Sequence, residues 1–248
     1  MPDETRIGGA CQPFPATRWS VIEGTRSPHT EERRRAFDVL VSVYWKPVYT
    51  YIRLHWKKDH ELAKDLTQEF FSRLIEKNLL DRFDPGRARL RTYLRVCVDG
   101  LVMNEDKAAQ RLKRGGDVAL LPLALESPQG EWMQLPVAAP GTPEEIFTRE
   151  FARSLFGLAI ERLRCECIAK GRSLHFQLLE LYDIDEGGKE LTYDDVARRF
   201  GLKATDVTNY LAWARREFRR IVLQELRTMT ATEEEFRREA QTLLGVKL

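Results

Sequence analysis

Five prolines stand between Asp117 and Pro143 (Pro122, Pro128, Pro136, Pro140 and Pro143), and they decide how this chain of 248 residues can fold. Each proline removes a backbone donor and clashes with the preceding helical turn, so a run of them ends any helix. The stretch has no apolar period and carries Asp117, Glu126 and Glu131, which makes it a stiff, mildly acidic linker. With 43% apolar residues, the half on either side is long enough to bury a core of its own. Apolar residues recur at helical spacing in both halves, and no strand-like alternation of useful length occurs. The expectation is an all-α protein: two small helical domains joined by a Pro-rich linker, the second containing a helix-turn-helix.

In the first half, residues 1–29 read as an extended arm (Gly8, Gly9, Pro13, Pro15, Pro28) with one short helical piece around Arg18–Ile22. A domain over 30–116 follows. Ala36, Phe37, Leu40, Val41, Tyr44, Val48 and Ile52 mark its first helix, which Pro47 is expected to kink or split. A second helix over about 59–78 places Leu62, Leu66, Phe70 and Leu74 on its buried side. Asp65, Gln68, Glu69, Ser72 and Glu76 form a polar stripe opposite. Alone, such a stripe is an ordinary solvated face. The turn Asp84-Pro85-Gly86 precedes a third helix over about 89–114. Between Arg82 and Gly116 nine basic residues face four acidic ones, an excess that attracts phosphates or simply solvates a helix.

Beyond the linker (117–143), Thr142-Pro143-Glu144-Glu145 opens a second domain over 144–227, with helices at about 144–169, 173–183, 193–200 and 205–227. The most specific local pattern lies here. Thr192 and Asp195 form a capping-box-like start, Ala197 is small where two helices cross, and Gly201 suits a tight turn. Thr205 can cap the next helix. That helix is two-faced, with Val207, Leu211, Ala214, Phe218 and Ile221 inward. Thr205, Thr208, Asn209, Ala212 and Arg216 lie opposite, on the side that would enter a major groove. Asn and Thr read base edges, and Lys203, Arg215, Arg216, Arg219 and Arg220 suit phosphates. The bland alternative is an antiparallel helix pair with a polar outer face. A final helix, at 228–248, starts at Thr232.

Other chemistry has little support. Cys11, Cys97, Cys165 and Cys167 show no disulfide or zinc spacing and are read as reduced thiols. His29, His55, His60 and His175 are dispersed, and no nucleophile elbow or phosphate-binding glycine loop appears. Neither an enzyme, a metal site nor a cofactor is expected. The charged N-terminus is no signal peptide and no apolar run reaches membrane-spanning length, so a cytoplasmic protein is expected.

The run Ala63-x-Asp65-Leu66-x-Gln68-Glu69-Phe70-Phe71 resembles the polymerase-binding helix of extracytoplasmic-function (ECF) sigma factors. Arg91-Thr92-Tyr93-Leu94-Arg95 is similar to that family's promoter-melting segment, and the C-terminal motif to its upstream-element reader. Thr17-Arg18-Trp19-Ser20 resembles a branch with an extended N-terminus. The resemblance implies a transcription initiation factor. Asp65, Gln68 and Glu69 would dock on the clamp helices in the largest subunit of core RNA polymerase. Tyr93 stands where the family usually has Trp, as a stacking platform or a core aromatic. Arg91, Arg95, Lys107, Arg111, Lys113 and Arg114 would track promoter DNA around the minus-ten element. Gly100 replaces the family's common Asn, and Thr208 and Trp213 stand where arginine is often found. An anti-sigma factor or other regulator is a further implied partner, for which the arm and the last helix are candidate sites. The competing reading is a helix-turn-helix regulator with an all-α sensing or dimerising domain.

Overall fold

A computed structural model describes residues 21–113, 142–184 and 191–245, with no side-chain description at 111–113. Every regular element among the described residues is helical, with no strand among them. In chain order they form α1 (Val21–Thr25), α2 (Thr30–Leu54), α3 (His60–Glu76), a 3-10 turn (Leu79–Arg82) and α4 (Leu90–Lys113). Then come α5 (Pro143–Ala169), α6 (Ser173–Leu179) with a π turn (Glu180–Ile184), α7 (Tyr193–Phe200), α8 (Ala204–Thr228) and α9 (Glu233–Leu244). They group into two compact units. One is Phe156–Glu225, and the other comprises the described residues of Trp19–Leu155 and Leu226–Leu248.

The larger unit is built on aromatic and branched residues at helical spacing. Leu40, Tyr44, Val48 and Ile52 of α2, Phe70 and Leu74 of α3, and Leu94, Val98 and Leu101 of α4 are all buried. Phe147 and Phe151, one turn apart on α5, fill the same core. Tyr44 stacks on Phe151 at 5.1 Å, and Phe147 meets Tyr51 edge-on at 5.8 Å. Such pairs contribute about 0.5–1.5 kcal/mol each beyond the area they bury. The end of the supposed arm belongs to this core. Val21 and Ile22 are buried, and Gly24 lies so close to Ala36 that an added Cβ would sit 2.8 Å from its side chain. Arg26 ties α1 down by donating to the Leu80 and Phe83 carbonyls at 2.7 and 2.9 Å.

Three details differ from the sequence reading. Pro47 does not split α2, which is assigned as one helix from Thr30 to Leu54; the ring itself is buried, so packing offsets the missing backbone bond. Leu62, expected inward, is 43% exposed, because Ala63 and Leu66 take the inward positions of the first turns of α3. Cys165 is disulfide-bonded rather than a reduced thiol, a pairing that local spacing cannot show. Cys97 and Cys167 are free and buried, and burial pushes the Cys97 thiol up to about 12.

The smaller unit follows the local sequence closely. The Thr192 hydroxyl accepts from the Asp195 amide at 3.2 Å while Asp195 accepts from the Thr192 amide at 3.0 Å, closing the capping box of α7. Gly201 adopts φ 65° and turns the chain toward α8. Leu178, Val196, Ala197, Val207 and Leu211 make the core between α6, α7 and α8. The start of α8 differs from expectation. The helix begins at Ala204, and Asp206 reaches back to the Lys203 amide at 3.3 Å, so Thr205 lies within the first turn instead of capping it.

Candidate functional sites

The polar stripe of α3 stands as expected. Asp65 and Gln68 are exposed, while Ala63, Leu66, Phe70 and Leu74 hold the opposite side inward. Glu69 is 46% exposed and accepts from Arg73 at 2.5 Å, one turn on. Arg73 also donates to Glu105 of α4 at 2.9 Å, so it answers to two carboxylates. Acids one turn apart on a helix whose reverse is packed make this face locally negative.

The head of α4 is arranged otherwise. Arg91, Tyr93 and Arg95, expected to meet DNA, are turned into the protein here. Arg91 is 5% exposed; it pairs with Glu239 of α9 at 3.2 Å and donates to Thr148 at 3.0 Å. Tyr93 is buried against Phe83, its hydroxyl donating to the Leu79 carbonyl, the core-aromatic alternative of the sequence reading. Arg95 donates to Asp99 at 3.0 Å, and Tyr51 and Trp56 donate to the same carboxylate at 2.8 and 3.0 Å. Helical spacing puts positions 91 and 95 on one face, and here that face is the packed one. Lys107 is exposed and makes no ion pair among the described residues. Arg111 and Lys113 have no described side chains, and Arg114 lies outside the described residues.

The acids that occupy the head of α4 come from α9, and no sequence pattern points to them. Glu235 and Glu239 are both almost fully buried. One Glu235 oxygen accepts from the Leu90 amide at 2.8 Å, and the other from the Ala231 amide at 2.9 Å. Glu239 sits between Arg91 and Arg89, at 3.2 and 3.4 Å, yet neither of its oxygens has a well-aligned hydrogen bond. Burial pushes the Glu239 carboxyl above its ordinary range despite both arginines, and lowers the Arg91 guanidinium. The two directions agree: here desolvation outweighs mutual attraction.

On α8 the outer stripe is in place. Lys203, Thr205, Thr208, Asn209 and Arg216 are exposed, opposite buried Val207, Leu211, Ala214 and Ile221. Thr208 donates its hydroxyl to the Ala204 carbonyl at 3.0 Å. Arg215 is engaged, as a two-bond fork on Asp183 at 2.7 and 2.8 Å. Among the described residues Lys203, Arg216 and Arg219 make no ion pair. Arg172 was missed by sequence reasoning. Its guanidinium lies 4.6 Å from the Trp213 ring centre, and His175 stacks on Tyr210 at 4.1 Å beside it. A basic residue just before a helix, paired by structure with an aromatic about forty residues away, leaves no local signal.

The described residues thus present an acidic face on α3 and, among themselves, three basic side chains without an ion pair beside or on α8. Residues 40–112, from mid-α2 through α3 and nearly all of α4, match the family model described as sigma-70 region 2. The match supports a sigma factor of the sigma-70 family, the region being one that binds RNA polymerase and takes part in promoter melting. No curated protein and no solved structure matches the chain. Among the described residues no helix is long and apolar enough to cross a membrane. None of their His, Cys, Asp and Glu side chains gather in threes around a possible metal ion.

Proposed function

We propose that this chain is an ECF-type sigma factor, of a branch with an extended N-terminus, that acts in the cytoplasm without catalytic activity of its own. The single observation that carries the reading is the sigma-70 region 2 match falling on α3, whose Asp65, Gln68 and Glu69 stand outward from a packed helix. In this reading those three residues dock on the clamp helices of core polymerase. Lys107, Arg111, Lys113 and Arg114 track the DNA backbone near the minus-ten element. Arg91, Tyr93 and Arg95, packed inward, shape the helix from behind. Helices α7 and α8 serve as a helix-turn-helix on the upstream element, with Thr205, Thr208 and Asn209 toward base edges and Lys203, Arg215 and Arg216 toward phosphates. An anti-sigma factor or other regulator would complete the partner set.

Run-off transcription with purified core polymerase tests this: addition of the chain should direct initiation from a subset of a promoter library. A chain that binds DNA but neither copurifies with core nor directs initiation is an ordinary regulator instead. Within the reading, Lys203→Ala with Arg216→Ala should weaken binding evenly across promoter sequences. The log–log salt slope should flatten by about 0.9 for each phosphate that is no longer neutralised. An unchanged slope, measured by titration at several salt concentrations, would leave both residues merely solvated.

A further inference from the structure

Helix α4 begins without a cap of its own. The residues before Leu90 are Ala88 and Arg89, and neither side chain can accept a hydrogen bond from the free amides of a helix start. The nearest acceptor in the sequence, Asp84, is turned to the Gly86 amide at 2.9 Å. The acceptor that reaches the first amide, Leu90 N–H, is Glu235, 145 positions away on α9. A carboxylate there also lies at the positive end of the α4 dipole. Glu235 is itself held in place. Its second oxygen takes the Ala231 amide, its own amide is capped by Thr232 at 3.1 Å, and Glu239 one turn on pairs with Arg89 and Arg91.

We infer that Glu235 is a positioning residue for α4: the C-terminal helix supplies the cap that this helix lacks and thereby sets the first turn of the segment assigned to promoter melting. The inference rests on the sigma reading for its consequence, though not for its geometry. A chain ending before α9 would keep the α3 docking face and the α8 stripe yet carry a frayed α4 head. Helix α9 is thus part of the region 2 unit in space while lying at the far end of the sequence.

The test is a cap-transfer series in the full chain, read by core-polymerase affinity and by permanganate reactivity of the opened promoter. Glu235→Ala is expected to leave core affinity unchanged and to lower promoter opening about tenfold, the size of one lost charge-assisted hydrogen bond. Glu235→Gln, which keeps an acceptor, should retain most of the opening. Adding Arg89→Ser to Glu235→Ala puts a local cap at the residue before Leu90 and should restore most of what was lost. Unchanged opening in Glu235→Ala overturns the inference. So does a parallel fall in core affinity and opening that Arg89→Ser fails to relieve, since that marks general destabilisation. Should Glu235→Ala fail to fold, hydrogen exchange of the wild-type chain decides. The Leu90 amide should open together with those of α9, and independent opening refutes the cap. A wild-type chain that never directs initiation with core defeats the sigma reading alone and leaves the exchange result to judge the cap.

Discussion

Replacing Glu239 with alanine should destabilise the chain by about 3–5 kcal/mol, the usual cost of stranding one partner of a buried ion pair. Glu239 is 3% exposed and Arg91 5%, so neither can turn to water without separating α9 from the head of α4. In Glu239→Ala the Arg91 guanidinium keeps only its bond to Thr148 and faces the like charge of Arg89. The pair itself contributes little net stability, because desolvation of both groups offsets their attraction. Removing both charges should therefore cost far less than removing one. Glu239→Leu combined with Arg91→Met should regain most of the loss, as apolar replacement of a buried pair is often neutral. Urea denaturation followed by helical circular dichroism measures all three chains. A lower midpoint at constant slope marks lost stability, whereas a lower slope would mean that unfolding no longer follows the same two-state transition. A loss under about 1 kcal/mol in Glu239→Ala would show that Arg91 escapes to solvent and that the docking of α9 is loose.

The same pair explains what could and could not be read from the chain. Helices α7 and α8 were legible almost residue by residue, because the Thr192–Asp195 box and the Gly201 turn act across a few positions. The head of α4 was not. Five excess positive charges between Arg82 and Gly116 suggest an open basic surface when counted along the sequence. In space, Arg87 answers to Asp84, Arg89 and Arg91 to Glu239, and Arg95 to Asp99. Two of those four arginines are neutralised by an acid in the last helix, which no window can connect to them. Pro47 shows the opposite case: it was expected to kink or split α2, and the helix is unbroken there with the ring packed in the core. Leu62 shows a smaller slip, since periodicity defines an apolar stripe but not where the stripe's edge meets solvent. On α3, the polar stripe was readable from its spacing, while the Arg73 bridge from Glu69 to Glu105 was not.

That bridge bears on the mutation that most directly tests the polymerase-binding reading, the double reversal Asp65→Lys and Glu69→Lys. Asp65 is exposed and makes no hydrogen bond or ion pair among the described residues, so its reversal leaves the fold untouched. Glu69 gives up its bond to Arg73, a half-exposed pair of the kind that contributes only about 0–1 kcal/mol. Arg73 still has Glu105, which also draws it away from the new lysine. The buried residues of α3 are unaltered, and the chain should remain helical and melt cooperatively within about 1 kcal/mol of wild type. Against a basic partner surface the outcome is different. Two reversed charges at close range cost several kcal/mol, enough to lower affinity for core polymerase by about a hundredfold or more. Promoter DNA affinity of the free chain should change little, because the α8 stripe is untouched. Core binding by gel shift or interferometry, set beside a melting curve, separates the two effects. A double variant that binds core as tightly as wild type would make the α3 stripe an ordinary solvated face and overturn its assignment as the polymerase-docking site. Loss of core binding with stability and DNA affinity intact would place the polymerase-docking site on Asp65 and Glu69.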